Sequence, residues 1–333
     1  MRTVNKVQKA AYELIQSDAR FVYSLMIDIS RKNRRINSNY RTMFLPFLGL
    51  FADGAEQWCK KMNLDAPSFN KAEKEYYTLL RQSHKLFELS YKEYSEKLYE
   101  EFLKSERYFY GIRRLREKIF GYFNVGTDLW NGCYCGNTIL CGMYLPFDYL
   151  GNKETGPMIR DLSIVAGEIA GYFLSTEFEP YTYNIEHVVT YKDFHFFRRS
   201  PLKRKSHEGF ILFSILCSIN YVVKFIEGYY IEETPQKFKY AYLQYYYLCD
   251  FIKDFNKHNS TEFFLDNSLQ HREFRNCLAH YGLGQFMSGT DIIEDGLLKG
   301  LTVKAFGLEY YEAKKKVYAY LNNLVKQIEG YIY

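Results

Sequence analysis

Phe274, Cys277, Leu278 and Tyr281 recur at i, i+3, i+4 and i+7 within HREFRNCLAHYGLG, His271 to Gly284, the spacing of one apolar helix face turned to a core. The same period runs through much of the chain. Tyr76, Leu80, Phe87, Tyr91, Tyr94, Leu98 and Phe102 share it, and neither Gly nor Pro interrupts Lys71 to Tyr110. That stretch reads as one very long helix or two joined by a polar turn. Its start is marked by Asn70 with Glu73 three residues on, a capping-box arrangement that satisfies the first backbone N–H groups. Upstream, Val4 to Met62 predicts two or three helices divided by the Asn-rich basic stretch Arg34 to Asn39 and by Pro46. From His207 onward, helices are expected at Gly209 to Tyr230, Pro235 to Lys257, Thr261 to Tyr281 and Tyr310 to Tyr333. Gly282 and Gly284 end the third, and a Gly-rich loop, Gly282 to Gly307, precedes the fourth.

The middle of the chain breaks the helical period. Gly121 to Pro157, with Gly126, Gly132, Gly136, Gly142, Gly151, Gly156 and Pro146, reads as a loop-rich connector. A helix is expected from Pro157 to Ser175, since proline suits the first helical position. YTYNIEHVVTYKDFHFF then has the β-branched and aromatic bias of a short hairpin turning at Lys192-Asp193. The apolar run Phe210 to Val223 is too short to cross a hydrocarbon layer of about 30 Å and carries Ser214, Ser218 and Asn220, so it reads as a core helix and not a membrane span. The expected fold is mostly α: a helical region over residues 1–200 with a loop-rich or short β-hairpin connector, joined to a four-helix bundle over 201–333.

Composition narrows the classes. With 333 residues, 47% hydrophobic content and 33 Tyr, the chain can bury a large, aromatic-rich core. A net charge of +5 is only mildly basic, so local clusters matter more. Three stand out: Arg31 to Arg41, Arg113 to Lys118, and RRSPLKRK at Arg198 to Lys205, each beside aromatics that could stack on unpaired bases. A solvated face is the alternative for each. Seven cysteines, an odd count, and an N-terminus without an apolar core point to a reduced, cytoplasmic protein. CYCGNTILC, Cys133 to Cys141, lacks a paired C-x-x-C, which favours thiols in a packed loop over a zinc site.

At 100° per residue, Arg272, Asn276 and Ala279 fall opposite the apolar face of the third helix, and Arg275 and His280 flank them. Ala279 leaves room for a second helix or a substrate. His280 lies in the last turn, where the helix dipole favours its protonated form. Arg275 and His280 point roughly 140° apart, so one copy is poorly arranged to converge on a single phosphate.

RNCLAH, Arg275 to His280, resembles the R-x4-6-H signature of the HEPN superfamily, in which a polar residue, often Asn, follows the Arg; Asn276 fits that preference. Of the seven histidines, only His280 has an Arg five to seven positions before it. The resemblance is confined to the C-terminal part and implies a HEPN-like bundle acting, without metal or cofactor, as an endoribonuclease whose two protomers form one cleft. It implies catalytic roles for Arg275, Asn276 and His280: His280 moves the 2′-OH or leaving-group proton, Arg275 neutralises the phosphorane, and Asn276 orients the imidazole or phosphate. Cleavage would leave a 2′,3′-cyclic phosphate and a 5′-OH. Arg272, with Arg198, Arg199, Lys203 and Arg204, would contact RNA. The family's usual settings imply a toxin or antiviral-defence role, a homodimer and an inhibitory or antitoxin partner.

Other classes stand beside this one. Some members of the superfamily bind nucleotides or dimerise without cleaving, and a helical scaffold protein would use Lys71 to Tyr110 as an arm. A metal-dependent hydrolase lacks its H-E-x-x-H pattern here. His271 reads as an exposed or core-satisfied histidine, and Tyr281 as a packing residue.

Overall fold

Helices dominate the computed structural model, which describes residues 5–30, 38–65, 69–111, 115–119, 124–145, 155–174, 179–184, 189–195, 200–293, 296 and 298–333. The basic stretch from Arg31 to Asn37, together with Arg113, Arg114, Arg198 and Arg199, lies outside the described residues.

Helix α1 (Lys6–Ser30) buries Leu14, Ile15, Val22 and Leu25, and α2 (Ser38–Met62) runs on without a break, with Pro46 inside it. The expected division at Pro46 is therefore corrected. Phe44, Leu48, Leu50 and Phe51 are all buried on the same helix, and that burial outweighs the loss of one backbone N–H.

Asn70 and Glu73 form the expected capping box at the start of α3 (Lys71–Ser83), with Glu73 N donating to Asn70 Oδ1 at 3.0 Å. The long helical pattern resolves into two helices. A short 3-10 turn, Leu86–Glu88, separates α3 from α4 (Tyr91–Tyr110), which begins where Ser90 and Glu93 exchange hydrogen bonds. A single turn of helix, α5 (Leu115–Ile119), follows.

The region expected to be a loop-rich connector contains structure. Strands β1 (Asn124–Trp130) and β2 (Cys133–Asn137) form a hairpin whose turn, Asn131-Gly132, has φ of 49° and 81°. Both residues are left-handed, which suits the twist of the flanking strands, and Asn and Gly adopt that conformation most readily. Asn137 then caps α6 (Thr138–Tyr144), and α7 (Thr155–Phe173) starts just before Pro157. The hairpin expected at Lys192-Asp193 is also corrected. Both residues lie within one strand, β3 (Val189–His195), paired antiparallel with β1 to give the order β2-β1-β3. The strand bias was legible, but the partner is remote in sequence.

Beyond residue 200, α8 (His207–Asn220) continues through a π-turn, Tyr221–Ile226, into the short α9 (Glu227–Tyr229). By length and composition this stretch could cross a membrane, but 94% of its most apolar window is buried against the rest of the protein. Then come α10 (Pro235–Asn259), α11 (Arg272–His280), α12 (Lys299–Phe306) and α13 (Tyr310–Ile332).

The third expected helix, Thr261 to Tyr281, is shortened to α11. Ser260 turns left-handed at φ 52°, and the Asn256 side chain pairs with both Phe263 N and Phe263 O, giving the backbone an alternative to helix. Tyr245 and Tyr242 on α10 then donate their hydroxyls to Asp266 O and Leu269 O, so the extended segment keeps its polar groups satisfied. His271 is the N-cap of α11, its Nδ1 accepting from Phe274 N at 3.3 Å.

The core joins both ends of the chain. Asp18 on α1 pairs with Lys239 on α10, both fully buried, and also accepts from Gln236 at 2.8 Å and from the Tyr281 hydroxyl.

Candidate functional site

The C-terminal end of α11 is fixed by Tyr281. This residue, and not Gly282, takes the left-handed position after the helix, with φ 52°. A tyrosine pays a steric cost there that glycine does not, and its buried ring and the bond to Asp18 hold it in place. Gly54 on α2 makes room for the ring: a Cβ at Gly54 would lie 2.8 Å from Tyr281 Cε2. His280, the last helical residue, is positioned by this anchor.

The face expected to be open around Ala279 is closed. Ala279 is fully buried, and Arg81 of α3 reaches across it, donating from Nη2 to Ala279 O at 3.4 Å and contacting His280 Nδ1. No room remains beside Ala279 for a second helix. Arg81 is itself buried and held by an ion pair with Asp53, which also binds Lys74; Lys74 and Lys60 in turn pair with Glu56. The two-arginine, one-histidine arrangement thus spans α3 and α11 within one chain.

Arg275 does not rim an open platform either. Its side chain is 11% exposed, lies 5.1 Å from the Tyr246 ring centroid and 5.5 Å from that of Tyr247, and approaches Glu88 at 3.8 Å. Its Nε is buried without a hydrogen-bond partner. Asn276 is half-buried, and no hydrogen bond joins it to His280 among the described residues. Arg272 is exposed on the first turn of α11.

A second histidine lies beneath the site. His84, at the end of α3, is buried; its Nδ1–H donates to Arg81 O, so its Nε2 is the acceptor for the Tyr247 hydroxyl at 3.2 Å. Burial foremost, with the nearby Lys85 and Arg81 charges, pushes its pKa down to about 3.

His280 is also kept neutral. Desolvation of its ring, then the charges of Arg81, Arg275, Lys85 and Lys61, lower its pKa to about 4. The expected gain from the helix dipole is overridden, because four full positive charges oppose one partial negative one. The residue as a whole remains exposed, so the ring meets solvent on one side and Arg81 on the other. A guanidinium can only donate, so Nδ1 must present its lone pair and the neutral ring carries its proton on Nε2.

Lys203 and Arg204 are placed elsewhere. Lys203 N bonds to Ile332 O, and Arg204 stacks on Tyr331 at 3.9 Å from the ring centroid, at the end of α13. Among the described residues no hydrogen bond or ion pair ties either to α11. Nor do three or more His, Cys, Asp or Glu side chains gather to hold a metal ion among the described residues.

Sequence reading missed Arg81, His84 and Lys85, because a pattern along one helix says nothing of which cations a remote helix brings to it. The basic last turn of α3 was the only local signal. No family model, curated protein or solved structure matches the chain. The fold defines a mostly helical protein carrying a small three-stranded antiparallel sheet.

Proposed function

We propose that the protein is a metal-independent endoribonuclease of the HEPN type, cutting RNA by 2′-OH attack to leave a 2′,3′-cyclic phosphate and a 5′-OH. The observation that carries this reading is the exposed, neutral His280 ringed by Arg81, Arg275, Lys85 and Lys61. Such a field attracts an anion and keeps the imidazole unprotonated at neutral pH, and the charge of a bound phosphate offsets the four cations and raises the basicity of the ring.

In the resting arrangement Nδ1 faces Arg81 and Nε2 carries the proton. A phosphate oxygen that takes Arg81 Nη2 for itself frees Nδ1, and the imidazole can then act as the base for the 2′-OH. Arg81 and Arg275 stabilise the phosphorane through their positive charges, which already act on the His280 ring. Arg272 offers a contact to a neighbouring phosphate. A second protomer pairing through the exposed side of α11 would add a second His280, which is the homodimer this chemistry favours. A toxin or defence role, with an inhibitory or antitoxin partner, accords with such an activity.

A second reading has its own support. Arg81 and Arg275 each already have a carboxylate partner, Asp53 and Glu88, which suits a non-cleaving RNA-binding or dimerising scaffold. Purified protein incubated with RNA in excess EDTA, beside His280→Ala and Arg275→Ala, separates the two. Cyclic-phosphate products that vanish in both variants support the nuclease. Equal traces from all three proteins move the function to the scaffold.

A further inference from the structure

One stripe of α2 organises the side chains that lead to His280. Asp53, Glu56, Gln57 and Lys60 stand at i, i+3, i+4 and i+7 and so share a face of that helix, and Lys74 and Arg81, seven residues apart on α3, meet it. Charge alternates along the resulting ladder. Lys60 pairs with Glu56 at 2.7 Å, Glu56 with Lys74 at 2.7 Å, Lys74 with Asp53, and Asp53 with Arg81, which contacts the His280 ring. The outer lysine side chain is 64% exposed, whereas Asp53 and Arg81 are buried.

Asp53 is the hub of the ladder. Its Oδ1 accepts from Lys74, and its Oδ2 accepts from both Arg81 Nη1 and Gln57 Nε2, the latter at 2.7 Å. Burial works to raise the pKa of this carboxyl, but the bonds from Lys74 and Arg81 outweigh it and hold the group below its ordinary value. It is therefore a charged partner. Arg81 needs one, because its guanidinium is buried close enough to Lys239 to depress that ammonium's pKa and shares the His280 ring with Arg275, Lys85 and Lys61. Among the described residues, Asp53 is the only carboxylate in ion-pair contact with it.

The same helix fixes the backbone on both sides of the contact. A Cβ on Gly49 would lie 2.6 Å from Arg81 N, so α3 rests directly on α2 there, and Gly54 receives the Tyr281 ring that anchors His280. Arg81 is thus a fork with assigned ends: Nη1 on Asp53, Nη2 on His280 Nδ1. A lysine ammonium, a single point of charge, could not serve both.

We infer that Asp53 is a positioning residue for His280: by pinning Arg81 it holds the imidazole in one orientation and tautomer, and keeps the guanidinium beside the ring when a phosphate takes Nη2. The purpose of this arrangement rests on the nuclease reading; its geometry does not.

NMR titration of the histidine ring protons in the full chain tests it, with the His280 signal assigned by its loss in His280→Gln. The groups acting on that ring are Arg81 and His84 of α3 and its end, Lys85 just beyond, Lys61 of α2 and Arg275 of its own helix. Asp53→Asn gives opposite signs for two roles. A carboxylate acting only as a nearby negative charge would leave the His280 pKa lower still when removed. One that pins Arg81 frees the guanidinium on removal, and the pKa rises by about one unit or more, which is the expected result. Arg81→Lys should raise it similarly, and the double variant should add nothing beyond Arg81→Lys. Circular dichroism checks the folds, and Arg81→Lys, which keeps a cation for Asp53, decides the matter if Asp53→Asn does not fold. A fall or no change in Asp53→Asn, an unmoved titration in Arg81→Lys, or additive shifts in the double variant each overturn the inference. In RNA cleavage the acid limb of the pH profile should move with the NMR value. RNA left intact by the natural chain while the NMR shifts appear removes the nuclease reading and leaves the positioning role of Asp53 standing.

Discussion

His84 makes the fold sensitive to acid in a calculable way. Folded, it titrates at about 3; its ordinary value is 6.5. Between those values the unfolded chain takes up a proton that the folded chain refuses, so stability is complete above pH 6.5 and is lost as pH falls through the window. At about 1.4 kcal/mol per unit, one such group costs about 3 kcal/mol near pH 4.5 and about 5 kcal/mol once the window is crossed. That is comparable to the whole stability of many domains, about 5–15 kcal/mol. The physical reason is local: a proton on Nε2 removes the acceptor of the Tyr247 hydroxyl and places a charge in a buried site next to Arg81. His84→Asn retains an N–H for Arg81 O but cannot titrate. Urea unfolding midpoints across the acid range should fall steeply for the natural chain, and the variant's slope should be shallower by about one proton. The variant starts lower at neutral pH, since the Tyr247 hydroxyl loses its acceptor. Parallel curves for the two proteins, offset but equally steep, would refute the assignment of acid sensitivity to His84.

His280 should titrate well below a normal histidine when its ring proton is followed by NMR, and Arg275→Gln should move that pKa upward because one opposing cation is gone. An unchanged titration would show that Arg275 does not act on the ring. Tyr281→Phe removes the hydroxyl bond to the buried Asp18 carboxylate and should destabilise by about 1.5–3 kcal/mol in urea unfolding. An unshifted midpoint would mean that packing alone holds the left-handed turn.

Periodicity made most of the helices legible, because burial of an apolar face dictates where hydrophobic residues stand along α3, α4, α10 and α13. The Asn70 capping box was legible for a related reason, as its chemistry is completed within four residues. Features whose partners are distant were hidden. The β3 strand needed β1, and the Thr261 to Gln270 segment gave up a helical pattern because Asn256, Tyr242 and Tyr245 satisfied its backbone another way. At the site, Arg275 and His280 were visible as a spacing, but their surroundings were not. The closed side of Ala279 and the neutral His280 both follow from Arg81, a residue that no pattern on α11 could announce.

The contact between Arg81 and His280 joins positions 199 residues apart, and the Asp18–Lys239 pair spans 221. Closing such loops has an entropic cost before any contact rewards it, and chains dominated by distant contacts fold slowly. A ribosome therefore releases α1, α2 and α3 long before the helix that completes the site exists. Until α11 is made Arg81 waits without its histidine, and a fragment ending before α11 never acquires it. The Arg81–His280 contact can form only once α11 has been made, which ties it to a late stage of synthesis.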